Sequence, residues 1–405
     1  MAPWPSIVAL CTVPEIHPPT EDDRAGIASV GALAFNMEAR PDAVSFDSRR
    51  RLCSYDGDRV VANAHSIPFG QWLGGRQVPC AGIGGVAVLP EYRGHGAARA
   101  LVGELLAEER DDGTAVSALY PANAALYRHL GYEYAGLHPG FRAPVTDIPP
   151  ARAEVAAIGS ADLDGVIACF SRFAAAHNGP VQPLDRARWQ TDVLAHPDEG
   201  THQRTVVVAG APGDIAGYAS YFLENAGGNG YRVACKHLVA VTAPALTALL
   251  GYFRRFENAA AEIAWFGPPT GGPVGLALAT STFALQPTLN RWMGRVLDVP
   301  RALEGRGYPD VSGELVIELS DPLFPDNAGP WLIRAAGGLV AVTPAPTAAP
   351  SPARALPIGL FSALYTGFAT VGDLVLRGAL NETDPRLPLL SALFSGPVPW
   401  MPDFF

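Results

Sequence analysis

The stretch from Gly85 to Leu101, Gly-Val-Ala-Val-Leu-Pro-Glu-Tyr-Arg-Gly-His-Gly-Ala-Ala-Arg-Ala-Leu, constrains the fold of this chain more than any other. An apolar strand over Ala81–Leu89 runs into a glycine-containing loop. The loop opens an amphipathic helix predicted over 96–110, with Ala98, Leu101, Val102, Leu105 and Leu106 along one face. Glycines let backbone N–H groups approach a ligand closely, and a helix N-terminus adds a positive dipole. Together they form an anion site suited to a pyrophosphate. The motif alone is not selective. Arg-x-x-Gly starts at Arg93, Arg110, Arg128, Arg291 and Arg334, and Arg-x-x-Gly-x-Ala recurs at Arg110. The Arg110 copy follows a helix, and Asp111 and Asp112 would repel phosphate; only the Arg93 copy has a strand before it and a helix after. The run Gly82–Ala87 imitates a dinucleotide fingerprint but precedes its strand instead of following it.

Around this segment the pattern is α/β. Strands are expected at Arg59–Ile67 and Val116–Leu119, and a helix capped by Asn123 carries Leu126, Tyr127 and Leu130 and ends at Gly131. Pro144, Pro149 and Pro150 mark a boundary, after which the pattern restarts. A helix over Ala161–Ala176, strands at Thr205–Ala209, Ile215–Phe222 and Cys235–Val241, a helix over Thr247–Phe256 and a strand at Glu262–Phe266 echo the first part as a divergent repeat. Near residue 290 the character changes again, to strands at Leu315–Leu319, Trp331–Ala335 and Gly338–Val342. A proline-rich stretch over 343–357 is expected to be a mobile loop, followed by helices at 358–366 and 370–378. The expected divisions are 1–150, 151–290 and 291–405, in line with ~150 residues per domain.

Composition narrows the function classes. The 405 residues are 48% hydrophobic and 17% charged, which excludes a mostly disordered chain. The net charge of −10 (29 basic against 39 acidic residues) leaves no nucleic-acid footprint and weakly favours cationic partners. Cys11, Cys53, Cys80, Cys169 and Cys235 are scattered without metal-ligand spacing, so no metal is expected, and the sparse odd count fits a reducing cytoplasm. Met1-Ala-Pro-Trp-Pro lacks the basic start of a signal peptide. The apolar stretches 267–290 and 355–372 are expected to be core, not membrane spans. The tail, Trp400-Met-Pro-Asp-Phe-Phe405, is apolar enough to dock into the body.

The pattern Arg93, Gly96, Ala98 resembles the pyrophosphate loop of the GNAT N-acetyltransferases. The stretch Ala118-Leu-Tyr-Pro-Ala122-Asn123-Ala-Ala-Leu-Tyr127-Arg-His-Leu-Gly131-Tyr132 resembles the next block of that superfamily, in the same order and spacing. At whole-chain level the layout, with Arg291–Val299 and the aromatic C-terminus, resembles the enhanced-intracellular-survival (Eis) acetyltransferases of actinobacteria. That resemblance implies an α/β (α+β) chain: an active GNAT domain, a degenerate second one and a C-terminal domain like sterol carrier protein. It implies acetyl-CoA held by Val86, Ala87 and Val88, by Arg93, Gly94, His95, Gly96, Ala97, Ala98 and Arg99, and by Ala122 and Asn123. It also implies Tyr127 as general acid, the main-chain carboxylate of Phe405 as general base, and a homo-oligomer, a hexamer in the family. The loop here is poorer in arginine than is common in the family.

The expected activity is acetyl transfer by direct attack to primary amines of cationic small molecules such as aminoglycosides. Alternatives are protein lysine Nε-acetylation and a non-catalytic acyl-CoA or lipid-binding sensor. Glu21, Asp22, Asp23 and Asp403 are candidates, unranked, to line an amine pocket. In the second domain Thr242-Ala-Pro-Ala-Leu follows the strand without glycine or Arg-x-x-Gly, and Pro244 has no N–H to offer phosphate, so one cofactor site per chain is expected.

Overall fold

Two sheets with the same strand order carry the first two thirds of the chain. The computed structural model describes residues 15–46, 49–193, 203–225, 230–278, 284–285, 290–346 and 355–405. The first unit contains β1 (Glu15–His17), α1 (Arg24–Phe35), β2 (Arg50–Asp56), β3 (Arg59–Leu73), β4 (Arg76–Val88), α2 (Ala97–Asp111), β5 (Val116–Leu119), α3 (Ala124–Arg128) and β6 (Glu133–His138). The chain continues through β7 (Gly140–Pro144), β8 (Ala156–Ala157), α4 (Leu163–Ala175), β9 (Val181–Pro183), α5 (Arg186–Val193), β10 (Arg204–Ala209), β11 (Ile215–Asn225), β12 (Tyr231–Ala240), α6 (Ala243–Arg254), β13 (Ala260–Phe266), α7 (Gly272–Ala277), β14 (Ala284–Leu285) and β15 (Asn290–Val296). The last part holds α8 (Val299–Gly305), β16 (Gly313–Ser320), β17 (Gly329–Ala336), β18 (Leu339–Pro344), β19 (Leu356–Pro357), α9 (Ile358–Thr366), α10 (Val371–Leu376) and α11 (Leu387–Leu393).

The first sheet runs β1-β2-β3-β4-β5-β15-β6, with β9 also paired to β3; the second runs β14-β7-β13-β12-β11-β10-β8. Each unit lends one strand to the other. β15 sits antiparallel between β5 and β6, and β7 sits antiparallel between β13 and β14. The divisions expected at 150 and 290 are therefore crossed by strands in both directions. The physical reason is that a central strand is specified by two neighbours, which need not be near in sequence. The third sheet is β18-β17-β16-β19.

The apolar stripe of α2 packs as predicted, with Leu101, Val102, Leu105 and Leu106 fully buried, although its first core residue is Ala97 and not Ala98. α6 begins at Ala243, ahead of the expected Thr247, because Thr242 caps it by accepting from Ala245 N at 3.3 Å. Of the expected 343–357 loop, 347–354 lie outside the described residues, and its ends belong to β18 and β19; Met1–Pro5, Cys11 and parts of 267–290 also lie outside. Cys53, Cys80, Cys169 and Cys235 are buried and free. Among the described residues no helix is long and apolar enough to cross a membrane.

One face of the first sheet packs on α2. The other is shared by α1 and by the third unit, whose helices and sheet join Ile67, Phe69, Cys80 and Ala118 in one core. The exchanged strand ties the units together. Arg295 on β15 donates to both oxygens of Asp321, at 2.9 and 3.0 Å, with both side chains fully buried. Asn327 donates to the same carboxylate at 3.0 Å and to Leu297 O at 2.9 Å. Removing one partner of a buried pair leaves the other charge uncompensated, so Asp321→Ala should cost about 3–5 kcal/mol. Urea unfolding measures this; a loss below about 1 kcal/mol would place the pair among weak surface-type bridges.

Candidate active site

The site begins where β5 stops. β4 and β5 pair in parallel from Cys80↔Val116 to Ile83↔Leu119, and there the pairing ends. β4 continues to Val88 with β3 on its other side: His65↔Gly84, Asn63↔Ala87, Ala62↔Val88. The register shifts between Asn63 and His65, opposite Gly85, which has φ +60°. A bulge therefore sits at the point where the backbone of β4 loses its second neighbour. Unpaired N–H and C=O groups along 84–88 need partners, and an extended ligand chain can supply them.

The chain then turns through the predicted loop. Gly94 and Gly96 have φ of +82° and +88°, where side chains are strained, and the places their Cβ atoms would take are empty. Arg93 is exposed and its Nε donates to Val88 O at 3.1 Å, which fixes the loop to the end of β4. His95 and Arg99 are exposed as well. Gly96 is the N-cap of α2 and makes no side-chain cap bond, so the first-turn amides of Ala97, Ala98 and Arg99 have no capping group. The equivalent start in the second unit is closed by Thr242, with Pro244 in its first turn. Ala122 and Asn123 lie exposed beyond the end of β5, and Asn123 caps α3 by accepting from Ala125 N at 3.0 Å. An open helix start, an open strand edge and an empty glycine cradle fit a phosphate-bearing, extended cofactor.

Tyr127 lies on the α2 side of the sheet, 6% exposed, among Ile83, Leu119 and Tyr132. Burial pushes its phenol up to about 12. Its hydroxyl makes no hydrogen bond among the described residues, whereas that of neighbouring Tyr132 is held by Ser117 at 2.7 Å.

Phe405 lies on the opposite face of β4. Its ring packs 4.9 Å from that of Phe69 and over Gly82, where any Cβ would come within 2.6 Å of it. The tail reaches this place through a series of anchors. Leu137 N donates to Pro399 O and Met401 N to Leu137 O, at 3.0 and 2.9 Å, while Trp400 N donates to Asn178 O at 2.9 Å. His138 Nδ1 contacts Met401 O at 2.9 Å, and Tyr120 donates to Asp403 O at 2.7 Å, its ring stacked 4.4 Å from that of exposed Phe404. His237, on β12 of the second unit, meets Asp403 Oδ1 through Nε2 at 3.0 Å and Tyr218 OH through Nδ1 at 2.9 Å. Burial raises the Asp403 carboxyl, but the bond to His237 and the charges of His237, Lys236 and Arg188 outweigh it and hold it below its usual range. Sequence reasoning missed Tyr120, His138, Asn178 and His237; the apolar tail signals docking but not its partners.

The acidic candidates are mostly occupied. Glu21 pairs with Arg24, and Asp23 accepts from Thr20 N at 2.7 Å and Tyr55 OH at 3.1 Å; Asp22 stays exposed. A cavity of about 430 Å³ beside the tail is lined by Asp403 and Glu224, but also by Arg188, Arg232 and Lys236. Glu224 there lies 3.6 Å from Arg232.

Residues 15–135 and 183–296 each match a family described as an acetyltransferase (GNAT) domain, and 299–402 match a sterol carrier protein domain. N-acetyltransferase Eis of Mycobacterium tuberculosis is 28% identical, over 97% of this chain and 98% of that protein. The structure of a GCN5-related N-acetyltransferase from Anabaena variabilis superposes with a TM-score of 0.87 at 26% identity, covering 96% of this chain and all of that one. One from Kribbella flavida gives 0.82 at 28% identity, covering 96% and 98%. With a glycine-opened helix start in the first unit, a capped one in the second and a sterol-carrier-like third, this chain is a GNAT-type N-acetyltransferase, similar along nearly its whole length to N-acetyltransferase Eis.

Proposed function

We propose that the chain transfers the acetyl group of acetyl-CoA to a primary amine of a small molecule by direct attack, with Tyr127 as general acid and the α-carboxylate of Phe405 as general base. The observation that carries this reading is that Tyr127 and Phe405 flank, from opposite faces, the slot where β5 leaves β4. Acetyl-CoA supplies the acyl group as a thioester. The first-turn amides of α2 and the loop Arg93–Gly96 hold its diphosphate, and Val86–Val88 with Ala122 and Asn123 line its extended arm. An N–H at the bulge donates to the thioester oxygen as charge develops there. The Phe405 carboxylate, with a reference pKa of about 3.5, is ionised at neutral pH and takes a proton from the amine nitrogen. The Tyr127 hydroxyl, without a hydrogen-bond partner among the described residues, gives its proton to the departing sulfur. Cationic amines such as aminoglycosides fit the acidic balance of the chain, yet the carboxylates of Glu21, Asp23 and Asp403 are already engaged.

Tyr127→Phe should lower kcat by about a hundred- to ten-thousandfold with little change in the Kd for CoA, as followed by thiol release and calorimetry. An unchanged kcat would remove the phenol from the reaction. Because burial holds that phenol near 12, it stays protonated through neutral and alkaline pH. The wild-type kcat profile should therefore show no descending limb below about pH 11; a limb near pH 8–9 would require a different acid. Appending two glycines after Phe405 displaces the carboxylate and should cut kcat by about a hundredfold or more, leaving the Kd for CoA within about threefold. Retained kcat in the extended protein would exclude the terminal base.

A further inference from the structure

On the face of the sheet that carries Phe405, the strand register aligns Arg51, His65 and Gly84 in one row across β2, β3 and β4, and Asn63 in the next row. The row ends at the bulge, beside the slot. Phe405 flanks it on the Gly82 side.

These side chains are polar and buried, and they are incompletely satisfied. Arg51 is 8% exposed, Asn63 3% and His65 9%. Arg51 Nη1 donates to Asn63 Oδ1 at 2.9 Å, but Arg51 Nε, Asn63 Nδ2 and His65 Nδ1 have no partner among the described residues. No carboxylate among the described residues lies in ion-pair range of Arg51. Arg49 and Arg188 add further positive charge around His65, and the Arg188 guanidinium lies 4.9 Å over the ring of Phe69, which Phe405 also touches. Burial, then Arg51, Arg49 and Arg188, lower the His65 imidazole to about 3, so it is neutral at physiological pH. A guanidinium taken out of water without a counter-charge is costly, and buried donors without acceptors are rare in finished structures. Both conditions are relieved by an anion.

We propose that the acceptor amine carries a carboxylate, and that Arg51, with Asn63 and His65 around it, is the specificity determinant that holds this carboxylate while the amine reaches the slot at Gly84–Gly85. The proposal rests on the acetyl-transfer reading above and narrows its substrate class to amino acids. Arg51 and Gly84 are two strand spacings apart, about 10 Å, less whatever the arginine side chain spans. Acceptors with several bonds between amine and carboxylate therefore fit best. Arg51 also suits the task because its planar fork matches a carboxylate bidentately.

The test compares acceptors that differ only in the carboxylate: ε-aminocaproate with hexylamine, and γ-aminobutyrate with butylamine, with kanamycin as a polycationic reference. Thiol release gives kcat and KM for wild type, Arg51→Gln and Arg51→Lys, and melting temperature and the Kd for CoA report on folding. The expected result is a kcat/KM at least about tenfold higher for the carboxylate member of each pair, lost in Arg51→Gln through KM and partly kept in Arg51→Lys. Equal values, a preference for the alkylamines or kanamycin, or a preference that survives Arg51→Gln would overturn the proposal. A second arm needs no turnover: hexanoate binding by calorimetry. Binding to wild type that Arg51→Gln abolishes supports the anion site even if every amine is inert, in which case the transfer reading fails alone. Absence of hexanoate binding to wild type would overturn the anion site whatever the turnover. Should Arg51→Gln not fold, Arg51→Lys and Asn63→Ala carry the same comparison.

Discussion

The backbone of β4 between Gly84 and Val88 lacks a neighbour on one side because β5 ends at Leu119, and the rest of the site depends on that gap. A strand in the middle of a sheet normally has both rows of hydrogen-bonding groups satisfied. An open stretch inside a sheet is a standing demand for a partner, and the partner must be extended. The bulge at Gly85 turns an amide there out of the ladder, and the start of α2, without a side-chain cap, lies a short loop away. Strand edge and helix start thus stand where the two ends of one elongated, phosphate-bearing ligand would fit.

The gap would be of little use if the sheet around it could slide. β15 holds the far side of β5 and is itself fixed by Arg295–Asp321 to the third unit. The C-terminal tail is fixed at Leu137, His138, Asn178, Tyr120 and His237 in turn. These anchors come from both GNAT units, so the last residue is positioned by the assembly of units and not by any one of them. Termini usually fray; this one is held by main-chain bonds and by a half-buried carboxylate–imidazole contact.

Much of the first unit is legible locally. The alternation of strand and helix, the stripe of α2, the cap at Asn123 and the glycines at 94 and 96 are all short-range signals, and each corresponds to a feature of the fold. The exchange of β7 and β15 is not legible. Each is a short strand of mixed apolar and arginine residues, and nothing local says which sheet receives it. The register of β2 against β3 is equally silent, so Arg51, Asn63 and His65 could not be recognised as one cluster: Asn63 and His65 share a face of β3, but Arg51 lies on β2 and reaches them only through the strand pairing. The acidic residues that composition brings forward turn out to have local duties, Asp23 in capping, Glu21 in an i, i+3 pair. Charge counting finds residues, but it does not find which of them lack a partner.

The second unit lacks the open helix start of the first, and its geometry gives it a different role. Its helix start is closed by Thr242 and Pro244, so it offers no phosphate cradle. Yet β12 supplies His237 to the tail, the end of α4 leads to the Asn178 carbonyl that receives Trp400, β9 extends the first sheet, and β15 completes it. A duplicated fold that stops binding cofactor is freed from keeping its own loop open, while its strands remain a rigid frame at a set distance from the first site. Losing the cradle and keeping the frame are compatible because they use different parts of the same sheet: the cradle lies past the C-terminal end of its fourth strand, β12, and the tail contact lies within that strand.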